Sequence, residues 1–177
     1  MRPLLNRTTI IAAASRGALT LSLFVPSSSC ATQAAPSQEA VRPGVEVLLT
    51  DSVGALRGKR VGLITNHTGV DRQGRRNVDI LHAAEGIQLV ALFGPEHGFA
   101  GVVRGGDKIG FGHDSATGLP VHSLYGDRGI PTPEMLEGVD VLLYDIQDVG
   151  ARVYTYVWTM ALSLRGLREA NLRLQRA

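Results

Sequence analysis

Three apolar runs each end in a polar cluster closed by glycine: RVGLITNHTG (60–69), LVALFGPEHG (89–98) and VLLYDIQDVG (141–150). Runs apolar at almost every position are expected of strands covered on both faces, and such strands belong to parallel sheets. Between them the spacing turns helical. NVDILHAAEG reads as a short helix with Ile80, Leu81 and Ala84 inward and Gly86 as its stop. PTPEMLEGV starts another helix with proline early, where the missing N–H costs nothing. YTYVWTMALSLRGLREANLRLQR predicts a long amphipathic helix, its stripe formed by Val157, Met160, Ala161, Leu164, Leu167 and Leu174, with Trp158 helping to fill the core. VEVLLTDSVGALRG opens the domain with loosely helical spacing, LPVHSLYG is a brief extended segment, and residues 99–118 form a long glycine-rich loop. This alternation predicts an α/β fold built on a doubly wound, mostly parallel sheet.

Residues 1–31 read as a secretory signal, with Arg2 and Arg7 at its start and an apolar stretch broken by Arg16. SSSC, ending at Cys30, resembles a bacterial lipoprotein processing site, although Ser27 stands where an aliphatic residue is usual. Lipidation there would tether the chain to a membrane; otherwise the product is secreted or periplasmic. Residues 32–43, rich in Ala, Pro, Ser and Gln, read as a linker, and 44–177 as the folded domain. The formal charge of +2 falls to −1 once the three leader arginines are set aside. A near-neutral body gives no electrostatic case for nucleic acid. Cys30 is the only cysteine, so no intrachain disulfide forms.

Ligands in doubly wound sheets bind outside the carboxyl ends of the strands. The three polar clusters sit there, which predicts one shared cleft. Glu96, on a backbone shaped by Gly and Pro, suits a general acid if burial raises its pKa and keeps its proton available. It is equally readable as a loop acid capping nearby N–H groups. His97 beside it can orient a hydroxyl or tune the acid. Asn66 and His67 suit hydrogen bonds to a polar ligand, or simply make a turn. On a strand, Asp145 and Gln147 share a face, and Asp148, Arg152, Tyr154 and Tyr156 follow at the exit. Acid, amide, guanidinium and phenol together suit a sugar bearing a carboxylate, which arginine grips with two parallel bonds. Alternatively Asp145 pairs with Arg152. With Glu96, the pair Asp145 and Asp148 offers the two-carboxylate arrangement of glycosidases.

His67, His97, His113 and His122 lack the close spacing of a zinc motif. No dinucleotide fingerprint or nucleophile elbow is present either, so no cofactor or metal is expected.

Read in order, GLITNHTGVD, LFGPEHGFAG, TGLPVHSLYG, PTPEMLEGVDVLLYDIQDVGARVYTY and TMAL resemble the bacterial exo-β-N-acetylmuramidase (NamZ-type) family over about residues 45–162. The resemblance implies a Rossmann-like catalytic domain and release of terminal N-acetylmuramic acid from peptidoglycan fragments. It implies Glu96 as the catalytic acid, with Asp145 or Asp148 as a second group unless the substrate's own N-acetyl group assists. Asn66, His67, His97, Gln147, Arg152 and Tyr154 would surround the sugar. Members continue beyond the length seen here into a smaller C-terminal domain that closes the cleft. The resemblance therefore implies that 44–177 is an incomplete, truncated portion. A non-catalytic muropeptide-binding domain is the alternative reading.

Overall fold

The computed structural model describes residues 41–107, 110–126 and 129–170, and the backbone of 173–176. The leader, Cys30 and the linker up to residue 40 lie outside the described residues. The order of elements is α1 (Gly44–Val47), β1 (Arg60–Thr65), α2 (Asn77–Ala83), β2 (Gln88–Gly94), β3 (Gly112–His113), β4 (Pro120–Ser123), β5 (Val141–Asp145), α3 (Tyr156–Ala170) and β6 (Arg173–Arg176). After α1 the chain makes one wide turn over Leu48–Ser52 and a tight one over Val53–Ala55.

The six strands lie in the order β3-β4-β2-β1-β5-β6. All neighbours are parallel except β3 and β4. The mostly parallel α/β sheet follows from the sequence pattern. Val61, Leu63, Leu89, Leu92, Val141 and Leu143 pack on one face with Leu48, Leu56, Val78 and Leu81. Ile64, Ala91, Phe93 and Leu142 pack on the other with Leu136, Val139 and Leu167. Alternate residues of the same strand thus serve two cores, which is why the runs read as continuously apolar.

Three local expectations need correction. The segment 132–138 is a series of turns rather than a helix: Leu136 N–H reaches back to the Thr132 and Pro133 carbonyls, and Val139 N–H to Leu136. Too few residues separate Pro133 from Gly138 (φ 77°) to repay helix nucleation. The long C-terminal helix stops at Ala170, and Arg173–Arg176 instead pairs in parallel with β5.

The buried face of α3 is also not the predicted stripe. Tyr156, Thr159, Ser163, Gly166 and Leu167 face inward, while Val157 and Leu164 are exposed and Trp158 is 66% exposed. The cause is a close approach of backbones. A Cβ at Gly166 would meet the Pro131 carbonyl oxygen at 2.7 Å, so only small residues fit along this line. Burying hydroxyls is inexpensive here, because Ser163 Oγ donates to the Thr159 carbonyl at 2.7 Å and Thr159 Oγ1 to that of Thr155 at 3.3 Å.

Candidate active site

The loops after β1 and β2 and the segment leading into α3 meet at the carboxyl end of the sheet. They enclose a cavity of about 390 Å³ lined by His67, Glu96, His97, Gly101, Val153, Tyr154, Thr155 and Tyr156. The loop that presents Glu96 folds tightly back on its own strand. A Cβ at Gly94 would meet Phe99 N at 2.6 Å. His97 takes a left-handed backbone (φ 69°), a costly conformation outside glycine. It is held by a two-part clasp: Val103 N–H donates to the His97 carbonyl at 3.1 Å, and His97 Nδ1 lies 3.0 Å from the Val103 carbonyl. A carbonyl only accepts, so Nδ1 carries the proton and Nε2 remains for a ligand.

Glu96 is half-buried, and its oxygens are occupied. Thr155 Oγ1 donates to Oε2 at 2.7 Å. Burial is the largest influence on this carboxyl and pushes its pKa up. Hydrogen bonds from Thr155 and Tyr125, the charge of His97 and the Gly106 N–H together outweigh it and hold the carboxyl below its usual range. The expected upward shift is therefore reversed. Tyr125 feels the reciprocal effect: its bond to Glu96 raises the phenol's pKa.

The raised carboxyl is Asp145 instead. Burial pushes it up, opposed by a 2.7 Å hydrogen bond from Asn77 Nδ2. Asn77 Nδ2 also reaches Thr65 Oγ1 at 2.8 Å, and that hydroxyl donates to the Asp145 carbonyl at 2.8 Å. Asp145 thus belongs to a knot below the cavity rather than to its wall. β5 ends at Asp145, so Gln147 lies beyond the strand and shares no strand face with it. Gln147 N–H caps Thr68 Oγ1 at 3.0 Å, and its side chain is exposed.

Asp148 accepts from Gly150 N–H at 2.6 Å through Oδ1, and its buried Oδ2 has no partner among the described residues. Burial raises the Tyr156 phenol's pKa, and the charges of Tyr154, Glu96 and Asp148 raise it further. Tyr156 therefore senses both carboxylates. Tyr154 sits edge-on to Tyr156 at 5.6 Å. Arg152 is exposed and makes no ion pair among the described residues, so the alternative pairing with Asp145 does not form. Asn66 is buried, with Oδ1 accepting from Thr68 N–H (2.9 Å) and Oγ1 (2.7 Å). Its amide is near enough to the Tyr156 phenol to counter part of the upward push, yet Nδ2 has no partner in hydrogen-bond geometry.

Of the residues singled out in the sequence, Glu96, His97, His67 and Tyr154 share one cavity. Asn66 adjoins it, while Asp145, Gln147, Asp148 and Arg152 line neither that cavity nor its neighbour. Thr155, Tyr125 and Asn77 were missed, and nothing in their local spacing signals a role. His113 and His122 pack instead against Phe111, His122 also stacking on Phe93 at 5.3 Å. Among the described residues no three His, Cys, Asp or Glu side chains converge as a metal site would require.

Residues 61–175 match the family model described as exo-beta-N-acetylmuramidase NamZ, N-terminal. The chain belongs to this family. Over 156 residues it is 47% identical to the peptidoglycan beta-N-acetylmuramidase NamZ of Bacillus subtilis (strain 168), covering 88% of this chain and 37% of that protein. Among solved structures, one DUF1343 family protein from Bacteroides fragilis NCTC 9343 aligns with 50% identity and a TM-score of 0.69, over 76% of this chain and 33% of its own. A second from the same organism aligns with 31% identity and a TM-score of 0.59, over 77% and 34%. The chain spans about a third of the length of these relatives. Within the NamZ N-terminal family, the matched region takes in the loop that bears Glu96 and the start of α3 at Tyr156.

Proposed function

We propose that this domain carries the catalytic carboxyl of an exo-acting glycoside hydrolase that releases terminal N-acetylmuramic acid from peptidoglycan fragments. The observation that carries the reading is the placement of Glu96 in a sugar-sized cavity at the strand ends, within a chain 47% identical to a peptidoglycan beta-N-acetylmuramidase. Glu96 serves as general acid once the cavity is filled. A bound sugar excludes water and strengthens the burial that already pushes its pKa up most, and sugar hydroxyls compete for the Thr155 and Tyr125 donors. The proton is then delivered to the leaving oxygen as the glycosidic bond breaks.

His97 Nε2 and His67 meet sugar hydroxyls, and Tyr154 offers an aromatic flank. Arg152, exposed and unpaired among the described residues, is free to grip the lactyl carboxylate of N-acetylmuramic acid. Asp148, whose charge reaches Tyr156, is better placed than Asp145 to act as the second carboxylate. The leader and Cys30 fit export to the cell wall, with lipidation as a variant of that address.

Release of nitrophenol from a nitrophenyl N-acetylmuramide tests the reading. Glu96→Gln should lower kcat by about 10²–10⁴-fold while leaving binding of N-acetylmuramic acid measurable by calorimetry. Full activity in Glu96→Gln removes the acid assignment. Binding without turnover in the parent makes this a muropeptide-binding domain instead.

A further inference from the structure

Among the residues lining the Glu96 cavity, Tyr156 alone is buried, at 6% exposure. Three neighbours hold it. Its backbone carbonyl accepts from the Tyr144 hydroxyl at 2.9 Å, and its ring meets Tyr154 edge-on at 5.6 Å. The third is the side-chain amide of Asn66, which stands beside the phenol and pulls its pKa down. Asn66 Oδ1 is taken by the Thr68 N–H and hydroxyl, so the amide presents its N–H to the phenol oxygen.

The phenol keeps its own hydrogen at neutral pH. Burial raises its pKa most, and the charges of Tyr154, Glu96 and Asp148 add to the rise against the Asn66 amide. That hydrogen is donated to no acceptor among the described residues. Glu96 takes its hydrogen bonds from Thr155, Tyr125 and the Gly106 N–H, and Asp148 Oδ2 is without a partner. Tyr156 is thus a fixed, neutral donor on the wall of a cavity.

The surroundings decide which ligand group suits it. With Nδ1 protonated toward the Val103 carbonyl, His97 Nε2 is an acceptor, and Glu96 gives its proton to the leaving oxygen. Both serve sugar hydroxyls; neither serves a group that only accepts. A carboxylate is disfavoured at Tyr156, because the charges of Glu96 and Asp148 act there. A neutral carbonyl meets no such objection. Exposed Val153 and Tyr154, on the same wall, offer apolar surface for a methyl group beside it.

We propose that Tyr156 is a specificity-determining residue, its phenol donating to the acetamido carbonyl of the terminal sugar, so that the cavity selects a 2-acetamido sugar over its 2-hydroxy analogue. The proposal rests on the glycosidase reading for placing that sugar against Glu96. What it adds is the group that is read and the side chain that reads it.

Calorimetry on the full chain compares N-acetylmuramic acid with 3-O-lactylglucose, which carries a hydroxyl in place of the acetamido group. The parent should prefer the first by about tenfold or more, tenfold being 1.4 kcal/mol. Tyr156→Phe keeps the ring and the backbone carbonyl that Tyr144 holds. It should lose most of that preference while binding 3-O-lactylglucose as the parent does. Tyr154→Phe should keep the preference. A merely structural role for Tyr156 would weaken both sugars alike. That outcome overturns the proposal, as does an unchanged preference in Tyr156→Phe, a preference lost in Tyr154→Phe, or a parent that binds neither sugar. A second measurement leaves Tyr156 intact, should its variant not fold. Fluorine NMR of 3-fluorotyrosine-labelled Tyr154→Phe should show a tyrosine resonance that moves with N-acetylmuramic acid and not with 3-O-lactylglucose; none doing so overturns the proposal. The glycosidase reading is judged apart, on nitrophenyl N-acetylmuramide. No turnover there, with the preference present in the parent and lost in Tyr156→Phe, removes that reading and supports the recognition.

Discussion

Thr155 and Glu96, 59 residues apart, share a 2.7 Å hydrogen bond that ties the entrance of α3 to the loop after β2. Together with Tyr125, which follows β4, it gathers three strand-end loops onto one carboxyl. A hydrogen bond to a charged group contributes about 1.5–3 kcal/mol. Thr155→Val should therefore raise the Glu96 pKa, followed by carbon NMR of labelled glutamate side chains across a pH titration. Thr155→Ser should restore it. A titration that does not move in Thr155→Val would show that the bond does not set the ionisation of Glu96.

Asp145 gives the opposite behaviour. Its folded pKa is raised by burial, so the fold holds its proton more tightly than the unfolded chain does. Stability from this group is therefore highest below the unfolded value of about 4 and declines as pH rises through the folded value. Asp145→Asn keeps an oxygen for Asn77 and removes the charge. The variant should lose that decline, and at pH 7 should match or exceed the parent by up to about 1 kcal/mol. Urea unfolding at pH 4 and pH 8 measures it.

Asp114 titrates in the reverse sense. Its hydrogen bond with Arg76 comes first among the causes that hold its pKa down to about 2, with burial opposing. The stability it contributes is complete above about pH 4, the unfolded carboxylate value, and is lost as pH falls toward about 2. Asp114→Asn should cost on the order of 1–2 kcal/mol at pH 7 once the part-exposed Arg76 is allowed for. The deficit should shrink toward pH 2, the folded pKa of about 2 being the point where the parent also loses the charge.

Gly166→Ala sets propensity against packing. Alanine should favour the helix by about 1 kcal/mol over glycine. The added carbon would meet the Pro131 carbonyl oxygen at 2.7 Å and Ile130 Cγ2 at 3.0 Å, and the first of these is backbone. Overpacking of this kind costs about 1–3 kcal/mol. Packing should win, and thermal unfolding should show a lower Tm.

How far the sequence could be read depended on how local the cause was. β1, β2 and β5 declare themselves because most of their residues answer to one of two cores, so the signal repeats along each run. The orientation of α3 does not, since its inward face is chosen by the approach of Gly166 to Pro131, a neighbour 35 residues away whose position no periodicity encodes. Residues 173–176 alternate in a way that suits a strand as well as a helix, and pairing with β5 decides between them. The placement of Glu96 at a strand end was legible from Gly94, Pro95 and Gly98 around it. Its ionisation was not, because Tyr125 and Thr155, which hold it down, come from two other loops. Asn77 was hidden for the same reason: it opens a helix by sequence and joins Thr65 to Asp145 only in the fold.

The outward turn of α3 leaves the chain with an optical reporter. Trp158 is the only tryptophan, and at 66% exposure its indole belongs to solvent rather than to either core. Intrinsic fluorescence of this protein is therefore almost blind to core packing. It reads the solvent around one helical turn, three residues past Thr155, so its colour and its quenching by dissolved iodide report the first turn of α3 and not the folding of either core.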